Sequence, residues 1–168
     1  GVASGSLDVN GSLGSGSVSV GDNATAKDVA ADINALTGST GVTATARTEA
    51  ELSFASTGAY ALELTSNGTE SRSVAFTVSA TDSADGLSAA VAAINDQTAK
   101  TGVTAALNDD ESGILLTNET GEDIVIEATT AAGALTLDKQ SRDSDGELTS
   151  VGRSEERRVG KECHLTCR

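Results

Sequence analysis

Apolar positions alternate along the chain, shift to a helical spacing, alternate again, and then repeat that succession. Leu7 and Val9, then Val18 and Val20, alternate with polar residues around Asn10-Gly11. This pattern predicts paired strands joined by a Gly-rich link longer than a two-residue turn. Asp22-Asn23-Ala24-Thr25 supplies helix-capping side chains, and Val29, Ile33 and Leu36 follow at i, i+4 and i+7, one stripe of an amphipathic helix. Gly38 or Gly41 ends that helix, because glycine tolerates a left-handed exit. Strand-like patterns resume over 42–47, 51–54 and 60–65.

The second pass keeps the order. Leu62 and Leu64 lead to Asn67-Gly68, Val74, Phe76 and Val78 alternate, and Asp82-Ser83-Ala84-Asp85 precedes a helical face of Leu87, Val91 and Ile94. Strands are expected over 103–107, 114–117 and 124–127, with polar turns at 108–113 and 118–123 and a weaker strand at 134–138. The fold class is therefore α+β. Two hairpin-helix-hairpin units, 1–66 and 67–138, each lay one helix over a small antiparallel sheet. A polar linker (139–152) and a tail (153–168) follow.

The repetition extends to residue identity. Ile33-Asn34-Ala35-Leu36-Thr37-Gly38-Ser39-Thr40-Gly41-Val42-Thr43-Ala44 returns 61 residues later as Ile94-Asn95-Asp96-Gln97-Thr98-Ala99-Lys100-Thr101-Gly102-Val103-Thr104-Ala105, identical at eight of twelve positions without a gap. A recurrence of this kind marks one supersecondary unit used twice. The signature positions are Ile33, Asn34, Thr40, Gly41, Val42 and Thr43, then Ile94, Asn95, Thr101, Gly102, Val103 and Thr104. At a helix-to-strand corner the Ile faces the core, the Asn bonds backbone of the exit loop, Thr-Gly makes the turn and Val enters the strand pointing inward. These are structural roles, not ligand contacts.

Composition narrows the function further. The 168 residues carry a formal charge of −14 and include neither Trp, Met nor Pro; Phe54, Tyr60 and Phe76 are the sole aromatics. Acidic charge opposes a phosphate backbone, and three scattered rings offer little for base stacking or an aromatic interface anchor. Nucleic acid is excluded as a partner. No apolar run approaches the roughly 20 residues that span a bilayer, so no membrane insertion is expected. The chain opens at Gly1 inside a strand-like stretch and is expected to be a fragment.

The tail differs from the body. Residues 153–163, R-S-E-E-R-R-V-G-K-E-C, resemble the forward translation of a common DNA-sequencing adapter. Of the 11 Lys and Arg, five lie in 153–168, with both cysteines, the only histidine and three of the 25 acids. The body thus carries 6 basic against 22 acidic residues, a net of −16. The tail is expected to be artefactual and disordered, and its removal to leave circular dichroism and melting unchanged. Cys163, His164 and Cys167 could ligate a metal, but a structural zinc site needs four ligands.

Catalytic patterns are missing from the body. It has no His for a nucleophile-activating base, and Gly11-Ser12-Leu13-Gly14-Ser15-Gly16 lacks the Lys of a phosphate loop. Asp109-Asp110-Glu111 and Glu122-Asp123 read as solvated turns. Asp143-Ser144-Asp145-Gly146 resembles part of an EF-hand loop, but Ser141 and Gly152 take the first and last ligand positions. No catalytic residue, metal site or cofactor is assigned. Asn10, Asn23, Asn67 and Asn118 each begin an N-x-S/T sequon, a weak signal in a chain this rich in Ser and Thr.

The Ile-Asn helix end followed by T-G-V-T-A resembles the repeat of the central variable region of bacterial flagellins and of flagellar hook-associated proteins. The resemblance spans roughly 5–138, though only the two twelve-residue cores are specific. It implies a non-enzymatic structural subunit of the extracellular flagellar filament, serving motility and displayed on the outer surface. The partners it implies are other flagellin subunits, engaged through terminal helical regions absent from this fragment, and the flagellar export machinery with its chaperone. A body without cysteine suits export in the unfolded state. Without terminal helices the chain is not expected to polymerise alone. The alternatives are a hook-associated or filament-cap protein with the same repeat, and a secreted adhesin module binding sugars or calcium.

Overall fold

A computed structural model describes residues 4–66, 68, 70–143, 145–154 and 164–167, with side chains to residue 150. The first strands, β1 (Gly5–Asn10) and β2 (Ser15–Val20), form an antiparallel hairpin with Leu7 opposite Val18 and Val9 opposite Gly16. Helix α1 (Ala26–Ala35) begins at Thr25, whose hydroxyl accepts from Asp28 N at 3.1 Å while the Asp28 carboxylate accepts from Thr25 N at 3.1 Å. This capping box satisfies two otherwise open helix groups at once. Leu36 caps α1, and a further turn, α2 (Thr37–Thr40), carries the chain to Gly41. Helix α1 buries Val29, Ala30 and Ile33 against Val9, Val18 and Ala44, a small apolar cluster of its own.

The eleven-residue strand β3 (Ala44–Phe54) leaves that cluster and enters a larger one. It is followed by β4 (Gly58–Thr65), β5 (Arg72–Val78), α3 (Ala84–Asn95), the single turn α4 (Thr98–Thr101), β6 (Val103–Leu107), β7 (Ile114–Asn118) and β8 (Val125–Ala131). Strands β9 (Leu135–Arg142), β10 (Leu148–Ser154) and β11 (His164–Cys167) complete the order. One sheet runs β10-β9-β3-β7-β6, with β11 pairing β3, and a second runs β5-β4-β8; every pairing is antiparallel. Leu52 and Phe54 of β3, Tyr60, Leu62 and Leu64 of β4, and Ile114 and Leu116 of β7 share the main core with Leu87 and Ile94 of α3. The rings, far apart in sequence, meet there: Phe54 lies 4.9 Å from Tyr60 and 5.7 Å from Phe76 by ring centroid, both edge-on. Their burial removes all three from surface recognition.

Mixed helix and antiparallel sheet agree with the expected α+β class. The two closed hairpin-helix-hairpin units need correction. Strands β3 and β4 do not form the second hairpin of a first unit: β3 pairs with β7 and β9, and β4 with β5 and β8. The expected break between 42–47 and 51–54 is bridged too, because Thr48, Glu49 and Ala50 are buried in a strand flanked on both sides. The segment 139–152, expected to be a polar linker, instead supplies the end of β9 and most of β10. Asp143 makes its turn: its carboxylate accepts from Asp145 N at 2.9 Å and Glu147 N at 3.0 Å. The tail, expected to be disordered, contributes Arg153 and Ser154 to β10 and 164–167 to β11; residues 155–163 and 168 lie outside the described residues. A turn-forming Asp and a backbone ladder need little apolar character, so hydropathy did not reveal these strands.

Candidate functional site: the helix-to-strand corner

Each helix exits through the same short corner, and the repeated residues build it. In the first copy, Asn34 Nδ2 donates to Ala44 O at 2.8 Å and Asn34 Oδ1 accepts from Ala44 N at 2.8 Å. In the second, Asn95 Nδ2 donates to Ala105 O at 2.9 Å and Oδ1 accepts from Ala105 N at 2.8 Å. One amide side chain thus engages both backbone groups of a strand residue, as a neighbouring strand would. From sequence this Asn was expected to bond the exit loop; its partner is the strand beyond.

Two threonines complete each corner. The Thr37 hydroxyl donates to Val42 O at 2.8 Å, and the Thr98 hydroxyl to Val103 O at 2.7 Å. The buried Thr40 hydroxyl donates back to Leu36 O at 2.9 Å and accepts from Val42 N at 3.2 Å. Thr101 does the same with Gln97 O at 3.0 Å and Val103 N at 3.2 Å. Gly41 and Gly102 turn the chain at φ 75° and 69°, the left-handed region where a side chain is costly. These five side-chain bonds recur in both corners, although their sequences differ at four of twelve positions.

The signature residues divide by depth. Ile33 and Ile94 are buried in different cores, the first in the small cluster and the second in the large one. Val103 is fully buried whereas Val42, preceding β3, is half-buried. Thr43 and Thr104 face outward, and the Thr104 hydroxyl donates to Thr117 O at 3.3 Å. Thr37 and Thr98 were not singled out from the sequence, although their identity in both copies was the available signal.

Charged groups elsewhere serve packing. The Glu49 side chain, 1% exposed, accepts from Arg142 Nη2 at 2.7 Å, and Arg142 holds its guanidinium above the usual range through that bond. Glu51 accepts from Asn108 Nδ2 at 2.8 Å and Gln140 Nε2 at 2.9 Å. No local pattern announces these contacts, because the partners lie 93 and 89 residues apart for Arg142 and Gln140. Lys27 on α1 donates to Glu122 at 2.7 Å, a bond that raises its ammonium pKa. Glu111 accepts from Ala84 N at 3.3 Å at the start of α3.

Other candidates resolve similarly. The 11–14 stretch is the β1–β2 loop, where Leu13 N donates to Thr40 O at 3.2 Å. Among the described residues no three His, Cys, Asp or Glu side chains gather as a metal site, and no helix is long and apolar enough to cross a membrane. Cys163 of the tail lies outside the described residues. Asn118, one of the sequon residues, is fully buried and donates to Ser66 Oγ at 3.0 Å, so its side chain is structural.

Such an arrangement defines a tandem-repeat structural module whose shared Asn and corner Thr side chains bond its own backbone. The family profile of the flagellin hook IN motif matches residues 6–58 and again 62–120. The chain belongs to that family and carries two copies of its motif in tandem. The second match begins within β4, in keeping with the pairing of β4 to β5. A comparison with curated proteins finds no match.

Proposed function

We propose that this chain forms the surface-exposed outer region of a flagellin, a non-enzymatic part of the extracellular filament that serves motility. The observation that carries the reading is the tandem IN motif, joined to a corner whose repeated polar side chains are spent on backbone bonds. A net charge of −14 suits a surface facing water, where like charges keep neighbouring outer regions apart. The reading implies other flagellin subunits, the flagellar export machinery and its chaperone as partners.

Antibodies raised against residues 4–150 test the assignment by immunogold microscopy of flagella from the source cell. Labelling along the whole filament is the expected result. Gold confined to the hook–filament junction or the tip would replace this reading with the hook-associated or cap alternative. An adhesin instead predicts that calcium raises the melting temperature or that glycans bind.

A further inference from the structure

Among the described residues, strand β6 ends its sheet, with β7 on one side and no strand on the other. Open edges recruit other strands, and proteins protect them with charge, proline or bulges. The β6 sequence, Val-Thr-Ala-Ala-Leu, has none of these residues, and its pairing to β7 runs without a register shift. The opposite edge of the same sheet, β10, is bulged between Ser150 and Gly152. In the other sheet the β4–β8 ladder carries a register shift and β5 begins at Arg72.

The N–H and C=O of one strand residue point to the same side, and successive residues alternate. Thr104 and Ala106 therefore serve the ladder to β7, while Val103, Ala105 and the terminal Leu107 present their groups to the outer edge. The four outward groups of Val103 and Ala105 are already engaged: Val103 N by Thr101, Val103 O by Thr98, and Ala105 N and O by Asn95. The polar residues repeated between the two copies are the ones that fill these positions, and the first copy fills the same four groups of Val42 and Ala44.

We infer that the repeated Asn-Thr-Thr set is an edge lock, a strand surrogate made of side chains that stops β6 from pairing with β6 of a second copy. The edge is apolar, uncharged and able to pair antiparallel with itself, so a second copy is the partner that an unlocked edge admits. The lock is independent of where the chain resides; a crowded filament surface makes it most useful.

Asn95→Ala in the 168-residue chain tests the lock, with Ile94→Val as a control that loosens the core and leaves the edge closed. Two measurements are made under reducing conditions: amide exchange of Ala105 by NMR, and self-association by sedimentation over a concentration series. Loss of two bonds of ordinary strength accelerates Ala105 exchange by about 10- to 30-fold through local opening. Asn95→Ala should also show concentration-dependent dimers or larger species, while Ile94→Val stays monomeric. Should Asn95→Ala not fold, Asn95→Ser is read instead; its short side chain cannot span both Ala105 groups, it adds no charge to the edge, and it must also open it. Retained Ala105 protection overturns the lock, as does association no greater than in the Ile94→Val control.

Discussion

Replacing Gly121 with alanine probes the joint between the small and large clusters. Gly121 sits in the β7–β8 loop at φ 75°, and its carbonyl accepts from Lys27 N, in the first turn of α1, at 3.2 Å. A Cβ built there lies 2.3 Å from Ala46 Cβ, 3.0 Å from Lys27 N and 3.1 Å from Ala26 Cβ. Left-handed backbone costs a non-glycine residue about 1–2 kcal/mol. The clash forces the loop away and sacrifices the Lys27 bond, about 1 kcal/mol more. Relief of the methyl overlap brings the expected loss to about 3 kcal/mol, within the range of overpacking. Gly146 provides the comparison, since its φ is 88° but nothing lies within 4 Å of its Cβ position; Gly146→Ala should cost about 1 kcal/mol. Urea unfolding followed by circular dichroism gives both free energies. Thermal melting should fall about 6–12 °C for Gly121→Ala and about 2–4 °C for Gly146→Ala. Equal losses within about 0.5 kcal/mol would refute the close approach as the source of the effect.

Three further outcomes follow from side chains and strands. Glu49→Gln leaves Arg142 without its buried carboxylate; because Arg142 is 33% exposed and can rehydrate, the cost in urea unfolding should be about 2 kcal/mol, below that of a fully buried pair, and no measurable loss would contradict the pairing. Glu122 raises the Lys27 pKa above 10.5, so its contribution is fully present below that value and is lost as pH rises through the folded value. Glu122→Gln should flatten the alkaline fall in melting temperature relative to the parent, and an unchanged slope would remove the pair from the account. Deleting residues 155–168 takes away β11 and its four-residue ladder to β3; melting should shift by less than about 3 °C, and a much larger drop would make the tail part of the fold.

Local pattern was sufficient wherever a few consecutive residues decide the structure. Thr25 and Ser83 start their helices as capping residues should, Gly41 and Gly102 turn the chain after them, and the helical stripes bury Val29, Ile33, Leu87 and Ile94. The repeat itself exposed the corner, since identity at Asn34 and Asn95 singled out the side chains that engage Ala44 and Ala105. Thr37 and Thr98 carry the same mark, but nothing in the local pattern shows that their hydroxyls reach the carbonyls of Val42 and Val103. Strand pairing was not legible. A hairpin reading of β3 and β4 satisfied the alternation equally well, and only the assembled sheets separate them.

The sequence by itself determined the repeated unit, its helices and corners, and the absence from the body of any histidine-based chemistry. These depend on capping, periodicity and residue type, all of short range. Only the tertiary structure decided that β3 joins two cores, that Glu49 meets Arg142, and that the corner bonds the outward groups of Val103 and Ala105 in β6. Those facts depend on which backbone edges meet, and a backbone donor or acceptor has the same chemistry at every residue but proline. The side chains therefore leave the choice of neighbour to the packing of the whole chain.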